Sequence, residues 1–242
     1  MIKISTYLIQ PFLLYAQPCP FLPRHESEWL RITINRLYNT NKGRLRKAGI
    51  RTELFHNHDE TTSQTKTLYP LIIYHYVDSG FYITGINDGR EALRELIESI
   101  DHPVEIDQDF MLKFKLIREE ELEILNTASM HRYRLTDWLP LNSENYKRYQ
   151  SLSLVEKIQF LELMLRKNIV HDFGKFLEAD LSETHVSIIS ADNLKRSSLP
   201  YKGHDYQPFT IEFEANAMLP GFITLGIGKA FGFGRVDRIE GK

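Results

Sequence analysis

His56-Asn57-His58 is the one place in the chain where a single residue separates two imidazoles. In an extended segment, residues i and i+2 face the same way and lie ~6.5–7 Å apart. That separation can set two imidazoles on either side of a phosphodiester. One takes the proton from a 2′-hydroxyl and the other protonates the leaving 5′-oxygen, and near-neutral pKa values suit both tasks. RNA carries its own nucleophile, so such a site needs no metal. The same spacing also suits a pair of metal ligands in a hydrolase for a small substrate, with Asp59 the only obvious carboxylate beside them. Polar loop histidines are, in addition, often merely solvated. The spacing alone leaves all three readings open.

The second chemical feature is a glycine cluster. Five of the 13 glycines lie between residues 221 and 234, where an even spread would put fewer than one. Glycines allow positive φ and a close approach of the backbone to a ligand, and their exposed N–H groups can form an anion nest. Lys229, Phe231, Phe233 and Arg235, interleaved among them, add charge and stacking surface. Two familiar phosphate loops are excluded by spelling. A P-loop needs a glycine five residues before Gly228 and a Ser or Thr after Lys229, where the chain has Ile223 and Ala230. A dinucleotide fingerprint from Gly226 meets Phe231 where a small residue is needed, and leaves no room for a βαβ unit. A glycine-rich turn between final strands is the plainer alternative.

A run of cations precedes the histidines. Arg36, Lys42, Arg44, Arg46, Lys47 and Arg51 fall within 16 residues containing no acid. They make a candidate phosphate-binding stretch, although short cationic runs are usually solvated faces. Lys195, Arg196 and Lys202 form a second, weaker candidate for contact with an RNA backbone. His75 alternates with Tyr74 and Tyr76 on an apparent strand and reads as structural, while His131 and His171 carry no motif.

The elements that would position these residues follow from periodicity. Ile2, Ile4, Tyr7 and Ile9 suit a first strand. Ser27 is a candidate N-cap for a helix through Trp29, Leu30, Ile32, Ile34 and Leu37, followed by a polar, basic, glycine-punctuated stretch from Asn39 to Arg51. Leu68–Tyr76 and Phe81–Ile86 read as a hairpin around Asp78-Ser79-Gly80, and Glu91–Ile100 as a short amphipathic helix. Asp101-His102-Pro103 is a breaker, which places the domain boundary at 102/103. Strands are expected at Met111–Ile117, Arg132–Leu135, Val186–Ile189, Phe209–Glu214 and Phe222–Leu225. The strongest helix spans Leu154–Ile169, with Val155, Ile158, Leu161, Leu165 and Ile169 on its apolar stripe. The order fits an α+β protein of two tandem ferredoxin-like (RRM-like) domains, residues 1–102 and 103–242, each an antiparallel sheet with helices on one face.

Composition narrows the classes further. The 242 residues are 42% hydrophobic and 26% charged, with mean hydropathy −0.33, which excludes disorder and fibrous repeats. Thirty Lys and Arg against 32 Asp and Glu give a net charge of −2, so no uniformly basic nucleic-acid coat is present. Cys19 is the sole cysteine, which rules out an intrachain disulfide or a Cys-rich zinc site and favours a reducing compartment. Met1–Pro20 lacks the unbroken apolar run and cleavage site of a signal peptide, and no stretch is long enough to span a membrane. A cytoplasmic location is expected.

Three blocks together resemble CRISPR repeat-RNA processing endoribonucleases of the RAMP (repeat-associated mysterious protein) superfamily, in the subtype with a His-x-His pair. They are Leu54-Phe55-His56-Asn57-His58 with Tyr69-Pro70-Leu71-Ile72-Ile73-Tyr74; Trp138-Leu139-Pro140-Leu141-Asn142 with Asn145-Tyr146; and Gly226-x-Gly228-Lys229 with Gly232-Phe233-Gly234. The resemblance spans residues 54–236, is most specific in the glycine loop, and matches least over the first 50 residues. It implies cleavage of CRISPR precursor transcripts within their repeats without a metal or other cofactor. The expected ends are a 2′,3′-cyclic phosphate and a 5′-hydroxyl. His56 and His58 match the catalytic pair. Gly226, Gly228, Lys229, Gly232 and Gly234 match the glycine-rich loop; with Arg235 and Lys42, Arg44, Arg46, Lys47 and Arg51 they are the expected RNA contacts. Sites in this superfamily often add a tyrosine or lysine, for which Tyr38, Lys42 and Lys47 are candidates. Repeat RNA is the implied partner; other CRISPR-associated proteins and a second copy of the chain are further partners the resemblance allows. Its alternative is a non-catalytic RAMP subunit that holds guide RNA in an effector complex.

Overall fold

The computed structural model describes residues 1–13, 26–50, 53–56, 69–77, 80–100, 104–107, 110–192, 199–201 and 204–239. They form two compact units: residues 2–121 with 230–232, and residue 1 with 122–229 and 233–242.

The first unit opens with β1 (Ile2–Leu13) and a long helix, α1 (Glu26–Lys47), followed by one helical turn, α2 (Glu53–His56). Then come the hairpin β2 (Ile72–Val77) and β3 (Gly80–Ile86), helix α3 (Asp88–Glu98), and the strands β4 (Val104–Asp107) and β5 (Phe110–Leu122). The sheet order is β2-β3-β1-β5-β4. Strand β3 pairs antiparallel with both β1 and β2, in register from Ile4↔Ile86 to Ile9↔Phe81 and from Ile72↔Gly85 to Val77↔Gly80. With β1 and β3 in the middle, this is the ferredoxin-like order, extended by β4 as an extra edge. One sheet face carries Tyr7, Ile9, Ile72, Tyr74, Phe81 and Ile83 against Leu30, Ile34, Leu37 and Tyr38 of α1 and Ala92, Leu93 and Leu96 of α3. The period-2 and 3.6 patterns of those apolar residues select strand and helix and aim both at one core.

Two expectations change in this unit. The helix starting near Ser27 does not stop at Leu37 but runs through the basic stretch to Lys47, because Leu37, Tyr38 and Leu45 keep a buried face. It ends where Gly49 takes φ +78° and the Ile50 N–H bonds back to the Leu45 carbonyl at 2.9 Å, a helix-terminating loop that favours glycine. The division between the units falls after residue 121 rather than at 102/103, because β4 and β5 join the first sheet.

The second unit repeats the plan with β6 (Asn126–Trp138), α4 (Ser143–Gln150), α5 (Leu154–Lys167), β7 (Val186–Asp192), β10 (Phe209–Ala217) and β11 (Arg235–Arg238), in the order β11-β6-β10-β7. A small hairpin, β8 (Leu199–Tyr201) with β9 (His204–Tyr206), lies between β7 and β10 in sequence. A capping box of Ser153 and Glu156 starts α5, whose buried residues are Phe160, Leu161 and Leu165; Val155 is 65% exposed and lies outside that stripe. The ferredoxin-like plan places a second helix between its third and fourth strands. Here the glycine-rich segment 218–234 occupies that position between β10 and β11. Phe222–Leu225 does not form the expected strand: Phe222 has φ +60°, and only Thr224 forms a bridge, with Arg235.

Candidate functional site

Helix geometry divides the basic stretch. At 100° per residue, Arg31, Asn35, Tyr38, Lys42 and Arg46 share one stripe of α1, while Arg36, Arg44 and Lys47 lie on other faces. The stripe is the one that meets α2: the Tyr38 ring is buried and stacks on Phe55, with centroids 4.8 Å apart and planes 26° from parallel. Lys42 and Arg46 therefore flank the aromatic contact that seats α2. Arg44 instead donates to the Ser99 carbonyl at 3.4 Å, beyond the end of α3. Arg44, Arg46 and Lys47 all sit in the last turn of α1, where cations also complement the helix dipole. The six cations thus do not form one surface.

His56 is the last residue of α2, so its backbone is helical rather than extended. The cause lies in its neighbour Phe55, which is held from two sides by the Tyr38 ring and by the Tyr74 hydroxyl, which donates to the Phe55 carbonyl at 3.3 Å. Burial pushes the Tyr74 phenol far above its ordinary pKa, opposed by the positive charge of Arg31, so it remains a donor. His58, Asn57, Asp59 and Arg51 lie outside the described residues, as do Lys195, Arg196 and Lys202. Among the described residues, no three His, Cys, Asp or Glu side chains converge as metal ligands.

Residues 230–232, at the tip of the glycine-rich segment, belong to the first unit. Phe231 lies under Arg31, whose guanidinium carbon is 4.9 Å from the ring centroid. Gly232, with φ +79°, passes so close to β2 that a Cβ there would meet the Tyr74 carbonyl at 2.6 Å and the His75 ring at 3.1 Å. His75 is buried, as expected of a structural strand residue.

The rest of the segment packs within the second unit. The Ile227 N–H donates to the Leu139 carbonyl at 2.9 Å, Gly234 to Asp137 at 3.1 Å and Leu225 to Gly234 at 2.8 Å. Gly226, at φ +90°, lies against Trp138, where a Cβ would come within 2.8 Å of the indole and of the Leu139 carbonyl. The Trp138 indole N–H donates to Asn168 Oδ1 at 3.1 Å, in a π-helical turn spanning Asn168–Gly174. Asn142 N-caps α4 by accepting from the Asn145 N–H at 2.8 Å. Two of the three sequence blocks are therefore packing partners: Trp138 and Leu139 form the seat of the glycine loop. Protein contacts account for the glycines; Gly228 and Gly234 share the positive φ. Arg235 is engaged too, donating through Nε to Asp237 at 2.8 Å and lying 5.9 Å from the Phe222 ring centroid.

Comparison with known proteins gives the family. The Cas6b N-terminal domain model matches residues 36–123 and the Cas6b C-terminal domain model residues 125–239. The chain belongs to the Cas6b family. The match bears out the resemblance drawn from the three sequence blocks. An uncharacterised protein of Methanocaldococcus jannaschii is 28% identical over 126 residues, 51% of this chain and 82% of that protein. Among solved structures, a crystal structure of Cas6b superposes with TM-score 0.73 at 20% identity, covering 99% of this chain and all of that one. A CRISPR RNA processing endoribonuclease Cas6b superposes with TM-score 0.63 at 19% identity, covering 98% of this chain and all of the other.

The Cas6b match supports the tandem ferredoxin-like assignment and sharpens what sequence reasoning missed. Its N-terminal model opens at residue 36, so Arg31 precedes it, and Arg31 stands outside the acid-free run that singled out the other cations. A helical wheel extended back from Tyr38 and Lys42 would have placed it on their stripe. Tyr38, a candidate third catalytic group, is instead fully buried in the stack on Phe55.

Proposed function

We propose that the chain is a metal-independent endoribonuclease that cuts CRISPR precursor transcripts within their repeats, with His56 and His58 as the acid–base pair. In the reaction, the RNA 2′-oxygen attacks the adjacent phosphorus as its proton passes to one imidazole. The phosphorus–O5′ bond breaks, and the other imidazole protonates the departing oxygen. The products are a 2′,3′-cyclic phosphate and a 5′-hydroxyl, with every atom supplied by the RNA. Membership of the Cas6b family supports the substrate class. The observation that carries the site is the seating of α2: Tyr38 and Tyr74 fix Phe55, and His56 follows on the stripe bearing Arg31, Lys42 and Arg46. Cations beside a phosphodiester neutralise its charge and that of the transition state. Gly226, Gly228, Gly232 and Gly234 shape the loop, and Lys229 is left as its RNA contact.

The test is incubation of purified protein with the repeat RNA encoded beside its own gene, in excess EDTA, with analysis of product ends. Wild-type cleavage to a cyclic phosphate is expected, and H56A/H58A should lose cutting but retain binding. Cleavage that requires a divalent ion contradicts the mechanism. Tight binding by the wild type without cutting in any condition supports the guide-RNA-holding alternative.

A further inference from the structure

We infer that Arg31 is a further catalytic residue, whose guanidinium, held over the Phe231 ring beside the Tyr74–Phe55 hydrogen bond, binds the non-bridging oxygens of the scissile phosphate. The inference rests on the His56/His58 reading and adds to it a charge-stabilising group. Arg31 lies on the α1 stripe that faces α2, two turns before Tyr38. Its guanidinium carbon is 4.9 Å from the Phe231 centroid, and its side chain is only partly buried. A ring face attracts the cation electrostatically and fixes the plane of the guanidinium without consuming its N–H donors, which point outward in a fork that matches two phosphate oxygens. The charge also acts on the Tyr74 phenol, whose hydroxyl binds the carbonyl next to His56. Arg31 thus borders the segment that ends in the proposed base or acid.

The chemistry calls for such a group. When the 2′-oxygen adds to phosphorus, negative charge builds on the two non-bridging oxygens before the P–O5′ bond breaks. Two imidazoles handle the protons but leave that charge uncompensated. Phe231 then acts as a positioning residue. The tight passage of Gly232 beside the Tyr74 carbonyl fixes where the preceding ring sits, which gives this stretch of the glycine loop a task in the reaction.

The experiment compares single-turnover cleavage of repeat RNA in EDTA by wild type, R31Q, R31K and F231L, with RNA affinity and thermal unfolding measured on each. R31Q should slow the saturated rate by about 100-fold or more, the usual effect of deleting one transition-state donor, while the dissociation constant changes by less than about tenfold. R31K should recover part of the rate, because the charge returns without the fork. F231L should slow cleavage less than R31Q and add nothing in the R31Q background. If R31Q cuts at nearly the wild-type saturated rate while H56A/H58A is inactive, Arg31 is not catalytic and the histidine reading stands. A rate loss matched by a loss of folded protein in R31Q and R31K alike overturns the proposal in the same way. If wild type fails to cut in EDTA, the histidine reading fails and takes the Arg31 assignment with it.

Discussion

At the residue scale, the aromatic contacts around Phe55 decide where the proposed chemistry sits. Tyr74 is buried and donates to the Phe55 carbonyl, so Tyr74→Phe leaves that carbonyl without its phenol partner. A loss of about 1–2 kcal/mol in unfolding free energy is expected, together with slower cleavage, because α2 carries His56. Unchanged stability and rate in Tyr74→Phe would show that this hydrogen bond does not hold the site. The glycines make a separate point. Gly226 combines φ +90° with an indole where its Cβ would lie. Gly226→Ala should therefore destabilise the protein by about 2 kcal/mol in denaturant unfolding measured without RNA. If the glycine served only to admit a phosphate, the RNA-free protein would not notice the change. The histidine spacing and the glycine cluster were both legible as residues. The close approach of the loop to Trp138 was not, since 87 residues separate Gly226 from Leu139 and no local pattern records such a contact.

At the element scale, strands and helices with regular apolar periods were read correctly: β1, the β2–β3 hairpin, α3 and α5. The second half of α1 was not. It has few apolar anchors, and Gly43 lies within it, so its composition resembles a loop although Leu37, Tyr38 and Leu45 are enough to keep it on the core. That omission hid the most useful fact about the basic stretch, its distribution over several helix faces. Phe222–Leu225 failed for the opposite reason: a short apolar run reads as a strand, but positive φ at Phe222 and Gly226 turns the backbone away from a ladder. Strand β5 carries the acids Glu119, Glu120 and Glu121. Arg90 reaches Glu119 at 2.8 Å and Glu121 at 3.2 Å, and Lys3 reaches Glu121 at 3.3 Å. Hydrogen bonds from Lys3 and then Arg90 hold the Glu121 carboxyl below its ordinary value. A carboxyl lowered in the folded state stabilises the protein above its unfolded value and loses that contribution as pH falls through the folded one. Thermal stability should therefore decline below about pH 4.5, and Glu121→Gln should flatten that decline. An identical acid profile in the variant would remove Glu121 from the explanation.

At the scale of the whole molecule, a net charge of −2 and an RNA-processing role are compatible because the charges are segregated. The β5 acids are paired with Arg90 and Lys3, whereas Arg31, Lys42 and Arg46 line the face of α1 that meets α2. Such a chain lacks the broad basic surface that gives non-specific, salt-sensitive binding to any nucleic acid. The tandem ferredoxin-like architecture was legible from element order, and the Cas6b match spans both units. The boundary was not, because Asp101-His102-Pro103 breaks a helix ahead of strands of the same sheet, while the actual division near Glu123 carries no glycine or proline. The central claim is that this chain cuts repeat RNA with two histidines and no metal. Its most direct measurement is single-turnover cleavage of the cognate repeat RNA in excess EDTA, with product ends identified for wild type and H56A/H58A. The expected result is a 2′,3′-cyclic phosphate from the wild type and no product from the variant at undiminished RNA affinity; cutting that survives loss of both histidines, or that appears only with a divalent ion, would contradict it.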